Sequence, residues 1–245
     1  MMKKILFGNN ISQISKKLEK CFKNLKFSVT RCKNDKDIIF EQLKNDDYDA
    51  LIFFAPYSNE EIRNFIQNLH VQFPVVKIYC LFYFNLEHDK TKIIDNGASK
   101  CFTTNANLND VCFKILKDLL DEDSNISLEI IEFLANLGFP CYMNSFFLVC
   151  LSMQRLIENP KNFTNFSKYL YPLIEKDLNT TSYWVERGIR YMSHTIHEKG
   201  IYFDCYPKDS ALENKVFLQA LVNEFMKSKG RNTEKDEDNK NVDVK

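Results

Sequence analysis

The sequence lacks the patterns that mark the commonest enzymes and membrane proteins. Its 245 residues include only 6 glycines, 6 prolines and 4 histidines, with no glycine-rich nucleotide-binding motif, no phosphate-binding loop and no ordered catalytic triad. No stretch approaches the roughly 18 apolar residues that a membrane span requires. The apolar run after the first lysines is too short for a signal peptide. We therefore expect a cytoplasmic protein that is neither an enzyme nor bound to a membrane.

The 8 cysteines show no spacing typical of a metal site or a disulfide framework. No two of them form a CxxC pair, and His88, His194 and His197 have no metal-ligating partners at workable spacing. Isolated cysteines are typical of reduced side chains in a hydrophobic core, as expected in a reducing cytosol. The sequence therefore predicts no metal and no cofactor.

Charge is balanced over the whole chain but not within its two halves. The 33 basic and 33 acidic residues give a net charge of +0, so no global field attracts nucleic acid, membranes or acidic substrates. Residues 1–120 hold 18 basic and 14 acidic residues, a net of +4, whereas residues 121–226 hold 9 and 14, a net of −5. Overall charge thus gives the second half no attraction for DNA.

The first 120 residues alternate short apolar runs with longer amphipathic segments. This alternation is typical of βαβ units and a parallel sheet, and 44% hydrophobic content suffices for two modest cores. We predict a flavodoxin-like α/β domain over residues 1–120, with any ligand at the carboxyl ends of the strands. The predicted strands are 4–7, 26–30, 50–54, 75–81 and 100–103, and the predicted helices are 11–22, 38–43, 60–69, 90–95 and 108–120.

After a polar linker at residues 121–127, the apolar periodicity becomes helical. Apolar side chains recur at three-residue steps from Leu128 to Leu137, and Gly138 followed by Pro140 ends that helix. We predict an all-α domain over residues 128–226. Residues 227–245 carry mixed charge and almost no apolar side chains, so a disordered tail is expected there.

A helix-turn-helix is predicted inside the second domain, from a helix at 167–178 and a second helix at 182–198. Thr181 is placed to cap the second helix. One face of that helix would be buried through Val185, Ile189, Met192 and Ile196. The other face carries Tyr183, Glu186, Arg187, Arg190 and His194. Arginine and glutamate can bond guanine and cytosine edges in the major groove, but such faces are also common in proteins that never bind DNA.

Several motifs of the second half carry a family resemblance: Leu137-Gly-Phe-Pro140, Tyr169-Leu-Tyr-Pro172, Asn179-Thr-Thr181, Val185-Glu-Arg187, Ile189-Arg190 and a closing Gly200. With them the chain resembles the effector domain of the sporulation master response regulators of endospore-forming bacteria (stage 0 sporulation protein A-like), over 126–200 and again over 214–225. In that family the triplet's glutamate and arginine, and the arginine three residues further on, contact the operator. The resemblance therefore implies DNA contacts for Glu186, Arg187 and Arg190.

The chain departs from this family at two places. Tyr183 and Trp184 stand where the family has small polar and basic residues, which implies a different preferred operator. The segment 201–213 is shorter than in the family, where that region helps to contact the sigma subunit of RNA polymerase. RNA polymerase stays a candidate partner, with repression favoured over activation.

The first half resembles response-regulator receivers more faintly, through its alternation and through Asp49-Ala-Leu-Ile-Phe-Phe54 and Asn96-Gly-Ala-Ser99. Working receivers hold Mg²⁺ with an acidic pair and accept a phosphoryl group on an aspartate. The corresponding positions of this chain are Asn9 and Asn10 for the acidic pair, Phe54 for the phosphoacceptor, Cys80 for the switch hydroxyl and Thr104 for the lysine. The resemblance thus implies a receiver without phosphorylation chemistry. An unrelated α/β interface domain would lead to the same expectation.

Taken together, these features predict a sequence-specific DNA-binding transcriptional regulator that acts without aspartyl phosphorylation. Its expected partners are double-stranded DNA and a second chain, in a homodimer or heterodimer formed through the receiver-like domain. An interaction protein that pairs with a phosphorylatable paralogue and antagonises it, without productive DNA contact, is the alternative. The acidic balance of residues 121–226 and the aromatic pair Tyr183 and Trp184 favour that alternative.

Overall fold

The computed structural model describes residues 3–9, 13–56, 58–83, 89–120, 127–203, 206 and 212–240, with the backbone alone at 9 and 231–240. The chain forms two compact units. The first comprises Met1–Asp123 and the short segment Cys141–Met143, and the second comprises Ser124–Pro140 and Asn144–Lys245. The division after Asp123 falls inside the predicted linker, of which residues 121–126 lie outside the described part of the chain.

A five-stranded parallel sheet organises the first unit, with the strand order β2-β1-β3-β4-β5. The strands are β1 (Lys4–Asn9), β2 (Ser28–Lys33), β3 (Ala50–Ala55), β4 (Lys77–Phe82) and β5 (Lys100–Thr103). The helices between and after them are α1 (Gln13–Asn24), α2 (Lys36–Asn45), α3 (Glu60–Gln72), α4 (Lys90–Asp95) and α5 (Leu108–Leu119). This order is the flavodoxin-like one, so the predicted fold of the first domain is confirmed.

The core of the first unit lies on both faces of the sheet. Every residue of β3 is buried, as expected where helices cover both faces of a parallel sheet. On one face the Phe7 and Phe54 rings pack with their centroids 5.7 Å apart. On the other face Phe53 packs with Cys80 and their apolar neighbours. Burial of each large side chain stabilises the fold by roughly 1.5–3 kcal/mol, which explains why β3 is apolar from end to end.

One charged side chain, Glu19 of α1, is buried at the edge of this unit. Arg31 of β2 donates from Nε to Glu19 Oε2 over 2.7 Å, and Lys23 lies 2.7 Å from Oε1. Burial alone would raise the pKa of the Glu19 carboxyl, but the hydrogen bonds from Arg31 and Lys23 outweigh it and lower that pKa below its usual 4.5. The carboxylate therefore stays charged and ties α1 to the edge strand.

The described residues of the second unit form helices and turns and no strand. The α-helices are α6 (Leu128–Asn136), α7 (Asn144–Glu158), α8 (Tyr171–Leu178), α9 (Ser182–Glu198) and α10 (Asn214–Lys240), with a 3-10 turn at Pro160–Phe163. Helix α7 is buried along most of its length because α6, α8, α9 and α10 all pack against it. The predicted all-α domain with a helix-turn-helix is therefore confirmed. Within the described residues, no helix combines the length and apolarity needed to cross a bilayer.

The first helix of the predicted helix-turn-helix is shorter and less regular than expected. The prediction was one helix over 167–178, whereas the chain forms a π-helical turn at Phe166–Leu170 and an α-helix only from Tyr171. Pro172 explains the difference, because proline has no N–H to donate and its ring clashes with the carbonyl four residues earlier. An α-helix can begin next to Pro172 but cannot run through it.

The predicted disordered tail is corrected over most of its length. Helix α10 continues from Asn214 to Lys240, and residues 241–245 lie outside the described part. The helix is anchored by Phe217, Leu221 and Phe225, which are buried. Once such an anchor has formed the first turns, each further residue adds a hydrogen bond at little cost, and the polar stretch contains no proline to stop it.

Candidate nucleic-acid interface

Among the positions that correspond to a receiver's phosphorylation site, the three whose side chains the structure describes do not converge in the first unit. Phe54 lies in β3 with its ring against Phe7, inside the core. Cys80 is opposite Phe53 in the sheet register, so it faces away from Phe54. Thr104 follows β5 and donates its backbone N–H to the carbonyl of Phe82 over 2.7 Å. Asn9 ends β1 with its side chain undescribed, and Asn10 lies outside the described residues.

A side chain that the sequence analysis missed fills the carboxyl edge of the sheet. Asn34 follows β2, and its Nδ2 donates to the carbonyl of Phe54 over 2.6 Å while its Oδ1 accepts from the Phe54 N–H over 3.2 Å. The same amide lies so close to Gly8 that a Cβ there would overlap Oδ1. Asn34 thus lies at the edge between β1 and β3, where ligands of doubly wound sheets bind.

The turn of the helix-turn-helix is fixed by local polar contacts. Asn179 ends α8 in the left-handed conformation, with φ 50°, which asparagine tolerates better than most residues. Thr181 caps α9 by accepting from the N–H of Trp184 over 3.4 Å, as predicted. Glu175 of α8 accepts from both the N–H and the hydroxyl of Ser182, over 2.9 and 2.5 Å. These contacts set the direction in which α9 leaves the turn.

The buried face of α9 is the one that the spacing predicts. Val185, Ile189, Met192 and Ile196 are all fully buried. Gly188 lies against α7, where a Cβ would overlap the Leu148 side chain, so the two helices approach closely. Asn214, at the start of α10, donates from Nδ2 to the Glu186 carbonyl over 2.9 Å and to the Tyr171 hydroxyl over 3.0 Å. Helix α9 is thus held from behind by three other helices.

The opposite face of α9 is exposed and carries the predicted recognition residues. Thr181, Tyr183, Arg187, Arg190 and His194 are exposed, and Glu186 is half-buried. Arg190 Nη2 donates to Glu186 Oε1 over 2.6 Å. A shallow cleft of about 390 Å³ is lined by the side chains of Tyr183, Glu186, Arg187, Arg190, Tyr191 and His194. The structure therefore brings five predicted residues to one surface, with Thr181 as the cap at its end.

Arg187 is held by aromatic rings in a way that the sequence analysis did not predict. Its guanidinium carbon lies 5.6 Å from the ring centre of Tyr183 and 5.5 Å from that of Trp184, and Nη1 donates to the Tyr183 hydroxyl over 3.1 Å. A guanidinium over an aromatic face is attracted by the negative face of the ring. Tyr183, Trp184 and Tyr191 are 59%, 58% and 59% exposed. The surface is therefore aromatic as well as basic.

Comparison with protein families identifies the segment that contains this helix. Residues 130–206 match the family described as "Sporulation initiation factor Spo0A C terminal". This segment is therefore similar to the C-terminal domain of that family. The match includes the whole helix-turn-helix and ends before α10, whose Asn214 nevertheless contacts α9.

Solved structures similar to this chain are response regulators of low sequence identity. The orphan regulator HP1043 of H. pylori is 11% identical, over 48% of this chain and 97% of its own, with a TM-score of 0.42. A Thermotoga maritima response regulator is 18% identical, over 48% and 97%, also at 0.42. RcsB of Salmonella enterica serovar Typhimurium, solved on promoter rprA with BeF3-, is 15% identical, over 91% and 98%, at 0.41. The fold of the first unit is assigned from its strand order alone.

The aromatic residues of α9 had a detectable signal in the sequence. Tyr183 and Trp184 precede Arg187 by four and three residues, the spacings at which helix side chains touch. Tyr191 follows Arg187 by four residues and extends the same row. Asn214 and Asn34 had no such signal, because each contacts residues that are distant in the sequence.

Proposed function

We propose that the protein is a sequence-specific DNA-binding regulator of transcription that enters the major groove of double-stranded DNA with α9. The observation that carries the proposal is the common exposed surface of Glu186, Arg187 and Arg190 on a helix whose opposite side is fully buried. A recognition helix needs both properties: a rigid attachment on one side and accessible polar side chains on the other. The Spo0A-type match of residues 130–206 supports the same function.

Each of the three side chains has a chemical partner on a base edge. Arginine can donate two hydrogen bonds to guanine O6 and N7, and glutamate can accept from cytosine N4. The ion pair between Arg190 and Glu186 joins a donor to an acceptor 2.6 Å apart. A neighbouring guanine and cytosine could therefore be contacted with the side chains near their present positions.

Tyr183 and Trp184 extend this surface beyond the polar contacts. Their exposed rings lie at the N-terminal turn of α9, the part of a recognition helix that reaches deepest into the groove. Apolar side chains there can contact the methyl group of thymine, which no other base presents in DNA. The preferred operator is accordingly expected to differ from that of regulators with small polar residues at these positions.

We further propose that this regulator works without aspartyl phosphorylation. Between Ala50 and Pro56 the chain has no carboxylate that could accept a phosphoryl group, and the Asn34 amide fills the carboxyl edge beside β3. Any pairing with a second chain, identical or paralogous, would then be constitutive or set by abundance, a ligand or a partner. The receiver-like unit is the proposed site of that pairing, and the cytoplasm is the proposed location.

Mapping the protein on the chromosome tests the proposal in cells. The wild-type protein should occupy a limited set of sites that share a sequence, and Arg187→Ala combined with Arg190→Ala should abolish that occupancy at an equal protein level. An arginine outside this surface, the half-buried Arg63 of α3, provides the control variant Arg63→Ala, which should keep every site. Occupancy that the double variant leaves intact would contradict the proposal.

A second candidate function is antagonism of a phosphorylatable paralogue by direct pairing. Three exposed aromatic rings on α9, Tyr183, Trp184 and Tyr191, favour it, because contiguous exposed apolar surface commonly marks protein contacts. The net charge of −5 over residues 121–226 points the same way. Co-purification with the paralogue, together with no DNA retained even at low salt, would support this function. A clear DNA footprint by the isolated protein would exclude it.

A further inference from the structure

Three cysteine sulfur atoms meet inside the first unit. Cys21 of α1, Cys112 of α5 and Cys141 are buried, and their Sγ atoms all lie within 4.8 Å of one another. Cys141 begins the short segment Cys141–Met143, which belongs to the first unit. Within the described residues, no other group of three or more histidine, cysteine or carboxylate side chains is close enough to share an ion.

Contacts on both sides of Cys141 fix its sulfur against the other two. The Cys141 N–H donates to Oδ1 of Asn109 over 3.3 Å, and Asn109 lies in the first turn of α5, the helix that carries Cys112. The next residue, Tyr142, places its ring 4.7 Å from Nζ of Lys17 on α1, the helix that carries Cys21. The segment is therefore attached to the same two helices that provide the other sulfurs.

The three thiols are chemically suited to a cation rather than to mere packing. The Cys141 sulfur is hydrogen-bonded to both Cys112 and Cys21, so the three side chains contact one another through their sulfur atoms. A buried thiolate without a neighbouring cation is costly, and the thiolate is the form of cysteine that binds metals.

We propose that Cys21, Cys112 and Cys141 form a three-sulfur site for a soft monovalent cation, Cu(I). Soft thiolate ligands select Cu(I), Zn²⁺ or iron–sulfur clusters. Structural Zn²⁺ almost always takes four ligands, and the described residues offer this cluster no fourth one. Each sulfur that coordinates the ion releases its remaining proton to solvent, so affinity rises with pH. Because the sulfurs are buried, the ion enters during folding or when segment 141–143 opens.

The test uses the full-length protein, reduced and freed of metal, and Cu(I) supplied without oxygen as its acetonitrile complex. A chromophoric Cu(I) chelator competes for the ion, and bound copper is measured after gel filtration. The wild-type chain should retain a single Cu(I), and its thermal midpoint should rise on loading. Cys21→Ala, Cys112→Ala and Cys141→Ala should each lose the bound copper and the rise in midpoint, whereas Cys32→Ala, which removes a buried cysteine of β2, should keep both.

X-ray absorption of the copper-loaded wild-type protein tests the site even if a variant fails to fold. Three sulfur neighbours around copper are expected, and two would contradict the proposal. Cys80 and Cys101 form a separate hydrogen-bonded pair, so loss of copper from Cys80→Ala with retention in Cys112→Ala would overturn the assignment. Zn²⁺ bound more tightly than Cu(I), a disulfide within the trio in the purified protein, or no copper held against the chelator would overturn it too.

Discussion

Arg190 and Arg187 should contribute unequally to operator affinity, although both are exposed arginines on the same surface. Without DNA, Arg190 pairs with Glu186, one helical turn away, in a largely exposed ion pair. Such pairs are worth about 0.3–0.5 kcal/mol. A bidentate contact to guanine is worth about 1–3 kcal/mol. Arg190 therefore loses little when it turns to a base, and Arg190→Ala should weaken specific binding by roughly 5- to 150-fold.

Arg187 must give up more interaction free energy than Arg190 when it leaves its present contacts to bind a base. It lies over two rings, each worth about 0.5–1 kcal/mol at an exposed site, and it donates to the Tyr183 hydroxyl, a bond worth about 0.5–1.5 kcal/mol. These contacts nearly equal the gain from one base contact. Arg187→Ala should consequently reduce affinity less than Arg190→Ala. In a Trp184→Ala background, which removes one of the two rings over which Arg187 lies, the effect of Arg187→Ala should grow.

Fluorescence anisotropy with a selected duplex, at several salt concentrations, measures these differences. Arg63→Ala is the matched control and should bind like the wild-type protein. Circular dichroism confirms that each variant is folded. The reasoning fails if Arg190→Ala binds the selected duplex with wild-type affinity, or if Arg187→Ala costs more than Arg190→Ala while the Trp184→Ala background leaves that cost unchanged.

Three further predictions concern the first unit. Glu19→Gln should lower the free energy of unfolding at pH 7 by about 1–3 kcal/mol, because it removes charged hydrogen bonds. The pKa of Glu19 is lower in the folded than in the unfolded protein, so this stabilisation is present above pH 4.5 and is lost as the pH falls through the folded-state pKa. The urea midpoints of wild type and variant should therefore converge in acid. Gly97→Ala should lower the free energy of unfolding by about 1–3 kcal/mol, because Gly97 has φ +104° and a Cβ there would overlap His70. The thermal midpoint should fall accordingly, and an unchanged midpoint would contradict that geometry. Acetyl phosphate or beryllofluoride should change neither DNA affinity nor oligomeric state by light scattering, and a shift in either would refute the proposed independence from phosphorylation.

The sequence predicts helices, strands and side-chain contacts well where they depend on residues that are close together in the chain. Helix α9 begins and ends where its cap and apolar period place it, at Ser182 and Glu198. The parallel sheet follows from the alternation of strands and helices, since parallel strands need crossover helices. Tyr183 and Trp184 beside Arg187 belong to the same class, because helix spacing alone brings them together.

Determinants that join distant segments could not be predicted from spacing. Asn34 reaches the carboxyl edge only because β2 pairs beside β1 and β3 lies on the other side. Cys21, Cys112 and Cys141 are scattered along the sequence and meet only through the packing of α1, α5 and the segment after α6. The exposed tail composition was likewise misleading, because tertiary anchoring at Phe217, Leu221 and Phe225 allows α10 to continue to Lys240.

Selection from a random-sequence pool of duplex DNA by the purified full-length protein tests the central claim most directly. The account predicts enrichment of one sequence with guanine and cytosine at adjacent positions, and loss of that preference when Glu186, Arg187 and Arg190 are all replaced by alanine. Enrichment of the same sequence by the triple variant, or no enrichment by the wild-type protein at low salt, would contradict it.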